Sequence, residues 1–220
     1  MFALPFFRRD LPALKGDKVT LRVPLTNDYR EWSALRGESR AFLEPWEPRW
    51  TPDELDRTAW RLRISRYRED YAQGTAIAFF IFKKASGKLA GGITLGNIRH
   101  GVAQSGHIGY WIGERYGGRG LMTEAVKLVS RFAFDTLRLH RIEAACIPDN
   151  ARSIRVLEKA GFRRSRKSPP NHLALWRYQF PFPAPKNGNR RRISAAVGCE
   201  PYSQISKASA WAILPPRSFP

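Results

Sequence analysis

The spacing of hydrophobic and polar residues predicts a strand-rich first half of the chain, with two helices between its first and second strands. Both helices begin with capping residues, and Thr51 and Glu54 have the spacing of a capping box at the start of the second. Residues 84–88 contain a glycine and form a hairpin connection. The predicted strands are residues 18–23, 76–83, 89–98 and 104–113, and the predicted helices are residues 27–36 and 52–71.

The pattern changes after residue 113, where strands and helices alternate. Apolar residues recur at helical spacing from Leu121 to Ala133, so this segment is predicted to bury one face against a sheet. A short strand at 141–147 and a helix at 150–160 follow. Asn150 is the expected N-cap of that helix, and Gly161 is its expected left-handed end. Antiparallel strands followed by strand–helix–strand–helix predict an α/β fold with a mixed sheet.

The candidate chemistry lies between the strand ending at Gly113 and the helix beginning at Leu121. The intervening turn contains Gly117, Gly118 and Gly120. Backbone N–H groups at a helix start lack intrahelical partners, and glycines let the backbone approach an anion closely. The turn is therefore predicted to bind a pyrophosphate; the alternative is a glycine-rich turn without a ligand.

Two common phosphate loops do not fit this turn. A Walker loop needs Lys-Ser or Lys-Thr after its last glycine, and here Leu121 and Met122 follow. A dinucleotide fingerprint needs a third glycine where the chain has Thr123. The pattern from Arg115 to Gly120 is Arg-x-x-Gly-x-Gly, which resembles the acetyl-coenzyme A signature of the GNAT acetyltransferases.

Further motifs resemble the same family in the same order, over residues 18–162. The segment 41–48, Ala-Phe-Leu-Glu-Pro-Trp-Glu-Pro, is similar to the RimJ-like subgroup, which acetylates the N-terminal alanine of a ribosomal protein. The other matching segments are 109–114 as the fourth strand, 139–144 as the fifth, 148–153 as the Asn-x-x-Ser helix start, and 156–162 as the Leu-x-x-x-Gly-Phe ending.

The resemblance implies a GNAT-like fold with a mixed, mostly antiparallel sheet flanked by helices, and direct transfer of an acetyl group from acetyl-CoA to an amine. The thioester is expected where the fourth and fifth strands separate, beside the backbone of Ile112. Asn150 is expected to contact the coenzyme and Ser153 to protonate the leaving thiolate; Arg152 and Arg155 are candidate phosphate contacts. The implied pyrophosphate-binding residues are Arg115, Tyr116, Gly117, Gly118, Arg119 and Gly120.

The acceptor favoured by the resemblance is an N-terminal α-amine, starting with Ala or Ser, of a ribosomal or other protein. About a tenth of α-amines are neutral at pH 7, far more than lysine side chains, so a strong base is not required. Glu44 and Glu114 are the candidate bases, and Glu44 and Trp46 the candidate acceptor-binding residues; Trp50 either walls the acceptor site or packs it shut. A small amine or antibiotic is the alternative acceptor.

Composition limits the remaining possibilities. The chain has 220 residues with 43% hydrophobic content, enough for one core. The two cysteines and four histidines form no metal-ligand spacing, so no metal is expected. The N-terminal apolar run is too short, and its charges are in the wrong order, for a signal peptide, and no run is long enough to span a membrane. A cytoplasmic location is predicted.

The last quarter of the chain has a different composition. Residues 1–162 carry 27 Lys and Arg against 18 Asp and Glu, whereas residues 163–220 carry 11 against one and hold 9 of the 16 prolines. One strand is predicted at 172–180 and disorder beyond it. This tail departs from the family, and we hypothesise a reading-frame change that removes an edge of the sheet. The tail also suggests a second class of function, a basic RNA- or ribosome-binding protein.

Overall fold

The computed structural model describes residues 11–164 and 176–179, which form one mixed sheet flanked by helices. The strands are β1 (Ala13–Lys15), β2 (Val19–Arg22), β3 (Ile77–Lys83), β4 (Leu89–Arg99), β5 (Ser105–Ile112), β6 (Arg141–Cys146), β7 (Arg163–Arg164) and β8 (Trp176–Gln179). Their order in the sheet is β1-β2-β3-β4-β5-β6-β8-β7. Among the described strands all neighbours are antiparallel except β5 and β6, which are parallel.

Helices cover both faces of this sheet. They are α1 (Tyr29–Glu38), α2 (Arg40–Leu43), α3 (Arg57–Gln73), α4 (Leu121–Asp135) and α5 (Ala151–Lys159), with short 3-10 turns at Thr26–Asp28, Glu44–Trp46 and Glu114–Tyr116. The parallel pair β5–β6 requires a crossover, which α4 provides. This crossover sets the site, because it places a helix start directly after β5.

The core is built from large side chains on both sheet faces. On one face the ring of Phe132 from α4 packs edge-on against Phe79 of β3, with centroids 6.0 Å apart. On the other face Trp60 of α3 contacts Trp32 of α1 at 4.7 Å and Phe80 at 6.0 Å. Both tryptophans are at most 2% exposed. Truncating a buried aromatic of this kind costs about 3–5 kcal/mol, so these contacts hold α1 and α3 on the sheet.

The predicted elements are confirmed, with differences at one helix start and in three short elements. The second predicted helix begins at Arg57 rather than residue 52, because Glu54 does not cap it; the Glu54 carboxylate instead forms a buried ion pair with Arg63 at 2.6 Å. The short elements β1, α2 and β7 were not predicted, since segments of two to four residues carry too little periodicity. Gly161 has φ +95°, as expected after α5.

The sheet continues beyond β6, which corrects part of the expectation for the tail. Strand β8 lies within the predicted range 172–180 and pairs antiparallel with β6, from Glu143–Gln179 to Cys146–Trp176, and β7 pairs with its other side. The described sheet therefore does not lack strands beyond β6. Residues 1–10, 165–175 and 180–220 lie outside the described residues, so the disorder and RNA contact predicted for the tail stay predictions.

Candidate active site

The strands β5 and β6 separate part-way along their length. Their parallel register runs from Ser105–Arg141 to Ile108–Ala144 and ends there, although β5 continues to Ile112. The N–H of Gly113 donates to the Ala90 carbonyl on the β4 side, at 2.9 Å. Because successive amides of a strand face opposite edges, the Ile112 amide faces the gap. The gap thus exposes strand backbone where the sequence placed the thioester.

The glycine turn follows at the end of this gap. Gly118 has φ +73° and Gly120 has φ +79°, both in the left-handed region that favours glycine. Gly120 is the N-cap of α4 and supplies no side-chain cap, so the first amides of that helix lack a side-chain partner from this residue. A Cβ built on Gly118 would meet no atom within 4 Å, which means that the turn is open on that side. The geometry is that of an anion site.

One cavity joins the turn, the gap and the loop after α1. Its volume is about 930 Å³, large enough for a coenzyme-sized ligand. Among the predicted coenzyme residues, those that line it are Ile112, Tyr116, Gly117, Gly118, Gly120 and Asn150. The side chains of Arg115 and Arg119 are not in the lining; Arg115 pairs with Glu38 at 2.9 Å.

A hydrogen-bonded group of side chains lies at the centre of the cavity. The Ser153 N–H donates to Asn150 Oδ1 at 3.0 Å, which confirms Asn150 as the N-cap of α5. The Ser153 hydroxyl is 2.8 Å from the Tyr110 hydroxyl, and the latter also donates to the Ser153 carbonyl at 3.2 Å. Sequence reasoning placed Tyr110 only within a strand motif. No sequence pattern indicates that the Tyr110 side chain points toward α5, so its contact with Ser153 could not be predicted.

The thiol of Cys146 lies at the end of β6, within hydrogen-bonding reach of Ser153. Burial raises the pKa of this thiol from 9.0 to about 11, and the Ser153 hydrogen bond offsets only part of that effect. The thiol is therefore protonated at neutral pH and behaves as a small apolar group.

The segment after α1 forms the other end of the cavity, where Trp46 and Glu47 line it. Phe42 of the same segment lies next to the glycine turn, because a Cβ built on Gly117 would be 4.0 Å from its ring. Glu114, which directly precedes that turn, also lines the cavity. Glu44, predicted as a base and acceptor-binding residue, is not in the lining; its carboxylate pairs with Arg40 at 2.7 Å on the surface. The structure thus brings Trp46 and Glu114 to the site and directs Glu44 toward solvent.

A buried ion pair supports this end and was missed from the sequence. Arg36 is 1% exposed and forms a bidentate pair with Glu47, with Nη2–Oε2 at 2.6 Å. Its guanidinium lies over the rings of Trp50 at 4.3 Å and Trp111 at 5.1 Å. The Trp50 indole donates to Glu47 at 2.8 Å, so Trp50 packs the loop rather than lining the cavity. The segment Glu-Pro-Trp-Glu contains no pattern that predicts which glutamate, Glu44 or Glu47, lines the cavity.

Cations surround the coenzyme end of the cavity. Arg155, a candidate phosphate contact, lines it, and Arg152 also does, with its guanidinium 5.0 Å from the Phe42 ring. Three lysines that sequence reasoning did not select lie in the same lining: Lys18, Lys127 and Lys159. Such a concentration of positive charge favours a polyanionic ligand.

Neither a metal-binding group nor a membrane-spanning helix is found in the part of the chain that the structure describes. No three His, Cys, Asp or Glu side chains within it are grouped to hold a metal ion. Within the same residues, no helix has the length and hydropathy to cross a membrane.

Comparison with known proteins identifies the family. Residues 18–163 match the family model described as acetyltransferase (GNAT) domain. The chain belongs to the GNAT acetyltransferase family. It is therefore an acyltransferase of the GNAT type, and the match covers β2 to β7, including the glycine turn and the gap.

Individual relatives are similar over most of their length. The chain is 38% identical over 151 residues to the probable N-acetyltransferase YjcK of Bacillus subtilis, covering 69% of this chain and 83% of that protein. It is 31% identical over 160 residues to the [ribosomal protein uS5]-alanine N-acetyltransferase of Escherichia coli, covering 72% and 82%. Among solved structures, Mycobacterium smegmatis RimJ in complex with CoA-disulfide has a TM-score of 0.68 and 29% identity, covering 77% and 85%.

Proposed function

We propose that this GNAT acetyltransferase moves the acetyl group of acetyl-CoA to the N-terminal α-amine of a protein that begins with Ala or Ser. The favoured acceptor is a ribosomal protein. The observation that carries the proposal is the continuous cavity, which runs from the glycine turn through the β5–β6 gap to the loop bearing Trp46. The relative from Escherichia coli, named for uS5-alanine acetylation, supports this choice of acceptor.

At the coenzyme end, the backbone amides of Gly118, Arg119 and Gly120 bind the pyrophosphate, because those of Tyr116 and Gly117 already donate to the Gly113 and Glu114 carbonyls at 2.9 Å. Gly118 and Gly120 hold these amides in a left-handed turn, and the start of α4 adds partial positive charge. Asn150 fixes the start of α5 and lines the same cavity, so it orients the coenzyme arm. Acetyl-CoA supplies the acetyl thioester to the gap.

In the gap, the acceptor amine attacks the thioester carbonyl carbon, a C–N bond forms and the C–S bond breaks. The Ile112 amide faces this position and stabilises negative charge on the carbonyl oxygen. Holding both reactants between β5 and β6 makes the step effectively intramolecular, which supplies much of the rate. The attacking nitrogen must lose one proton and the departing sulfur must gain one.

The proton on nitrogen goes to a carboxylate, directly or through water. Glu114 lines the cavity, and its backbone N–H donates to Ser39 Oγ at 3.0 Å, which ties the end of β5 to the segment after α1. Glu47 also lines the cavity but is neutralised by Arg36. We therefore assign the proton-accepting role to Glu114 ahead of Glu44, which pairs with Arg40.

The proton for the thiolate comes from the Ser153 and Tyr110 hydroxyls. Ser153 is the donor to sulfur, and Tyr110, 2.8 Å away, returns a proton to Ser153. Solvent then reprotonates Tyr110 and takes up the proton that the carboxylate accepted from the amine. A thiol with a pKa near 8.5 is a good leaving group, so a hydroxyl pair is sufficient. The pair replaces the single serine that the sequence suggested.

The experiment is acetyl transfer from acetyl-CoA to a panel of amines, followed by mass spectrometry of the acceptor. The panel contains peptides beginning with Ala or Ser, an Nα-blocked peptide with one lysine, spermidine and an aminoglycoside. We expect kcat/KM to be highest for the Ala and Ser peptides, by about tenfold or more, because their amines are neutral far more often at pH 7.

Two variants test the assignments within this experiment. Glu114→Gln is expected to lower kcat for the Ala peptide, and Glu44→Gln, which removes a surface carboxylate, to change it less than twofold. Equal or faster transfer to spermidine or the aminoglycoside would instead favour the small-amine alternative. Transfer only to the blocked lysine peptide would contradict an α-amine acceptor.

A further inference from the structure

The turn between β1 and β2 lies beside the glycine turn, although about a hundred residues separate them in sequence. A Cβ built on Gly120 would lie 3.6 Å from the Lys18 ammonium nitrogen. Lys18, Gly118 and Gly120 all line the cavity. The ammonium is thus located at the start of α4, where the open amides of the glycine turn face the cavity.

The backbone of this turn is held by Glu124 in the first turn of α4. The Glu124 carboxylate accepts hydrogen bonds from the backbone N–H groups of Asp17 and Lys18, the latter at 3.1 Å to both oxygens. A Cβ at Gly16 would meet the Glu124 carboxylate, so a larger residue there would require that carboxylate to move off the turn. The carboxylate therefore attaches the turn to the helix that carries the phosphate site.

The opposite side of the same turn is held by the β3–β4 hairpin. The Lys84 N–H donates to the Lys18 carbonyl at 2.8 Å, and the Lys84 ammonium donates to the Gly16 carbonyl at 3.2 Å. The Gly16 N–H donates to the Val19 carbonyl at 2.9 Å. With its backbone fixed on both sides, Lys18 presents its side chain without loop ordering on binding.

The Lys18 side chain itself is exposed, and within the described residues it forms no ion pair. A cation at a helix N-terminus meets partial positive charge, which is unfavourable unless an anion binds between them. A phosphate placed on the amides of Gly118 and Gly120 removes this conflict, because it attracts both. The arrangement fits an anion-binding lysine better than a stabilising surface charge.

We propose that Lys18 is a coenzyme-binding residue whose ammonium contacts the diphosphate, and that Glu124 is the positioning residue that holds it there. The inference rests on the proposed function, since it needs acetyl-CoA in this cavity. It places one specific ammonium beside the backbone amides of the diphosphate site. It also gives Glu124, one of four acidic residues in the cavity lining, a role in holding that ammonium in place.

The first test compares Lys18→Met with Lys15→Met, an exposed lysine on β1 that does not line the cavity. Coenzyme A affinity is measured by calorimetry on the full chain. We expect Lys18→Met to weaken binding about 10- to 30-fold, as for loss of one charge-assisted hydrogen bond, and Lys15→Met less than twofold.

A second donor separates phosphate contact from a general loss of structure. S-acetyl-pantetheine carries the thioester but lacks the diphosphate, so kcat/KM with this donor should differ less than twofold between Lys18→Met and the unsubstituted protein. An equal loss with both donors would overturn the inference, because Lys18 would then act through the fold rather than through phosphate.

Glu124 is tested by two variants with opposite expectations. Glu124→Gln keeps a hydrogen-bond acceptor and removes a negative charge, so coenzyme A binding should be retained or tightened. Glu124→Ala removes the acceptor, so hydrogen exchange at the Asp17 and Lys18 amides should accelerate and binding should weaken about tenfold. Charge alone predicts tighter binding for both variants, and that result would exclude a positioning role.

The outcomes separate this inference from the proposed function. If the unsubstituted protein binds no coenzyme A, the proposed function fails. If it binds coenzyme A and Lys18→Met binds as tightly as Lys15→Met, the inference about Lys18 fails while the proposed function stands.

Discussion

The two ends of the cavity are built from different groups, one mainly from backbone and the other from side chains. The coenzyme end is mainly backbone, arranged by Gly118 and Gly120 at positive φ. The acceptor end is held by side chains, through the buried Arg36–Glu47 pair and the Trp50 ring. A backbone site of this kind depends on glycine at its left-handed positions and little on the surrounding side chains. A side-chain site depends on every member of its hydrogen-bond network.

The largest effect is expected from breaking the acceptor-end network. Glu47→Gln leaves Arg36 as a buried charge without its partner, which costs about 3–5 kcal/mol of unfolding free energy. Glu44→Gln, in the exposed pair with Arg40, should cost less than about 1 kcal/mol. Urea unfolding measures both. Equal costs would show that the buried pair does not hold the loop.

The matching change at the coenzyme end is Gly118→Val, which should weaken coenzyme A binding about 100-fold, because the backbone leaves the left-handed region and a side chain enters the cavity. Gly101→Val is the control, since Gly101 has φ +72° and open space around it, as Gly118 does, but does not line the cavity. Both variants should lose similar stability; similar losses of binding would contradict the turn assignment.

The packing at the end of β6, beside Ser153, can be tested at Cys146. Because burial raises its pKa from 9.0 to about 11, the thiolate fraction at pH 8 should be roughly a hundredfold below that of the unfolded chain. Iodoacetamide labelling in a Cys199→Ser background measures this, and the rate should rise about tenfold per pH unit up to about pH 11.

The raised pKa of Cys146 also makes the stability of the folded state decrease at high pH. The folded state keeps the Cys146 proton between pH 9 and about 11 while the unfolded state loses it, so this contribution is complete below pH 9 and falls as pH rises through that window. Labelling as fast as in urea would show that the junction of β6 and α5 is open to solvent.

The smallest effect is expected at the hydroxyl pair. Ser153→Ala should lower kcat about tenfold and Tyr110→Phe somewhat less, with coenzyme A affinity nearly unchanged, because only the departing thiolate needs the proton. The double variant should be no slower than Ser153→Ala if the two hydroxyls act in series. A kcat loss equal to the sum of both effects, in free energy, would contradict a relay.

The sequence predicted the parts of the molecule that depend on local patterns. The glycine turn, the amphipathic α4 and the Asn150 cap each follow from neighbouring residues. Tyr110 meeting Ser153, and Lys18 meeting Gly120, depend on how distant elements pack, and no local pattern specifies that. Glu44 and Glu47 are three residues apart beside prolines, and burial of Arg36 decides which one faces the cavity.

The crossover through α4 also has a consequence for biosynthesis. The wall that faces the glycine turn comes from α5, residues 151–159, whereas the turn that carries Lys18 leaves the ribosome first. A nascent chain stopped before α5 contains every glycine of the phosphate turn and still has no enclosed cavity. Such a chain lacks Ser153, Arg155 and Lys159 from the cavity lining, so we expect stabilisation by coenzyme A to begin only once α5 has been translated.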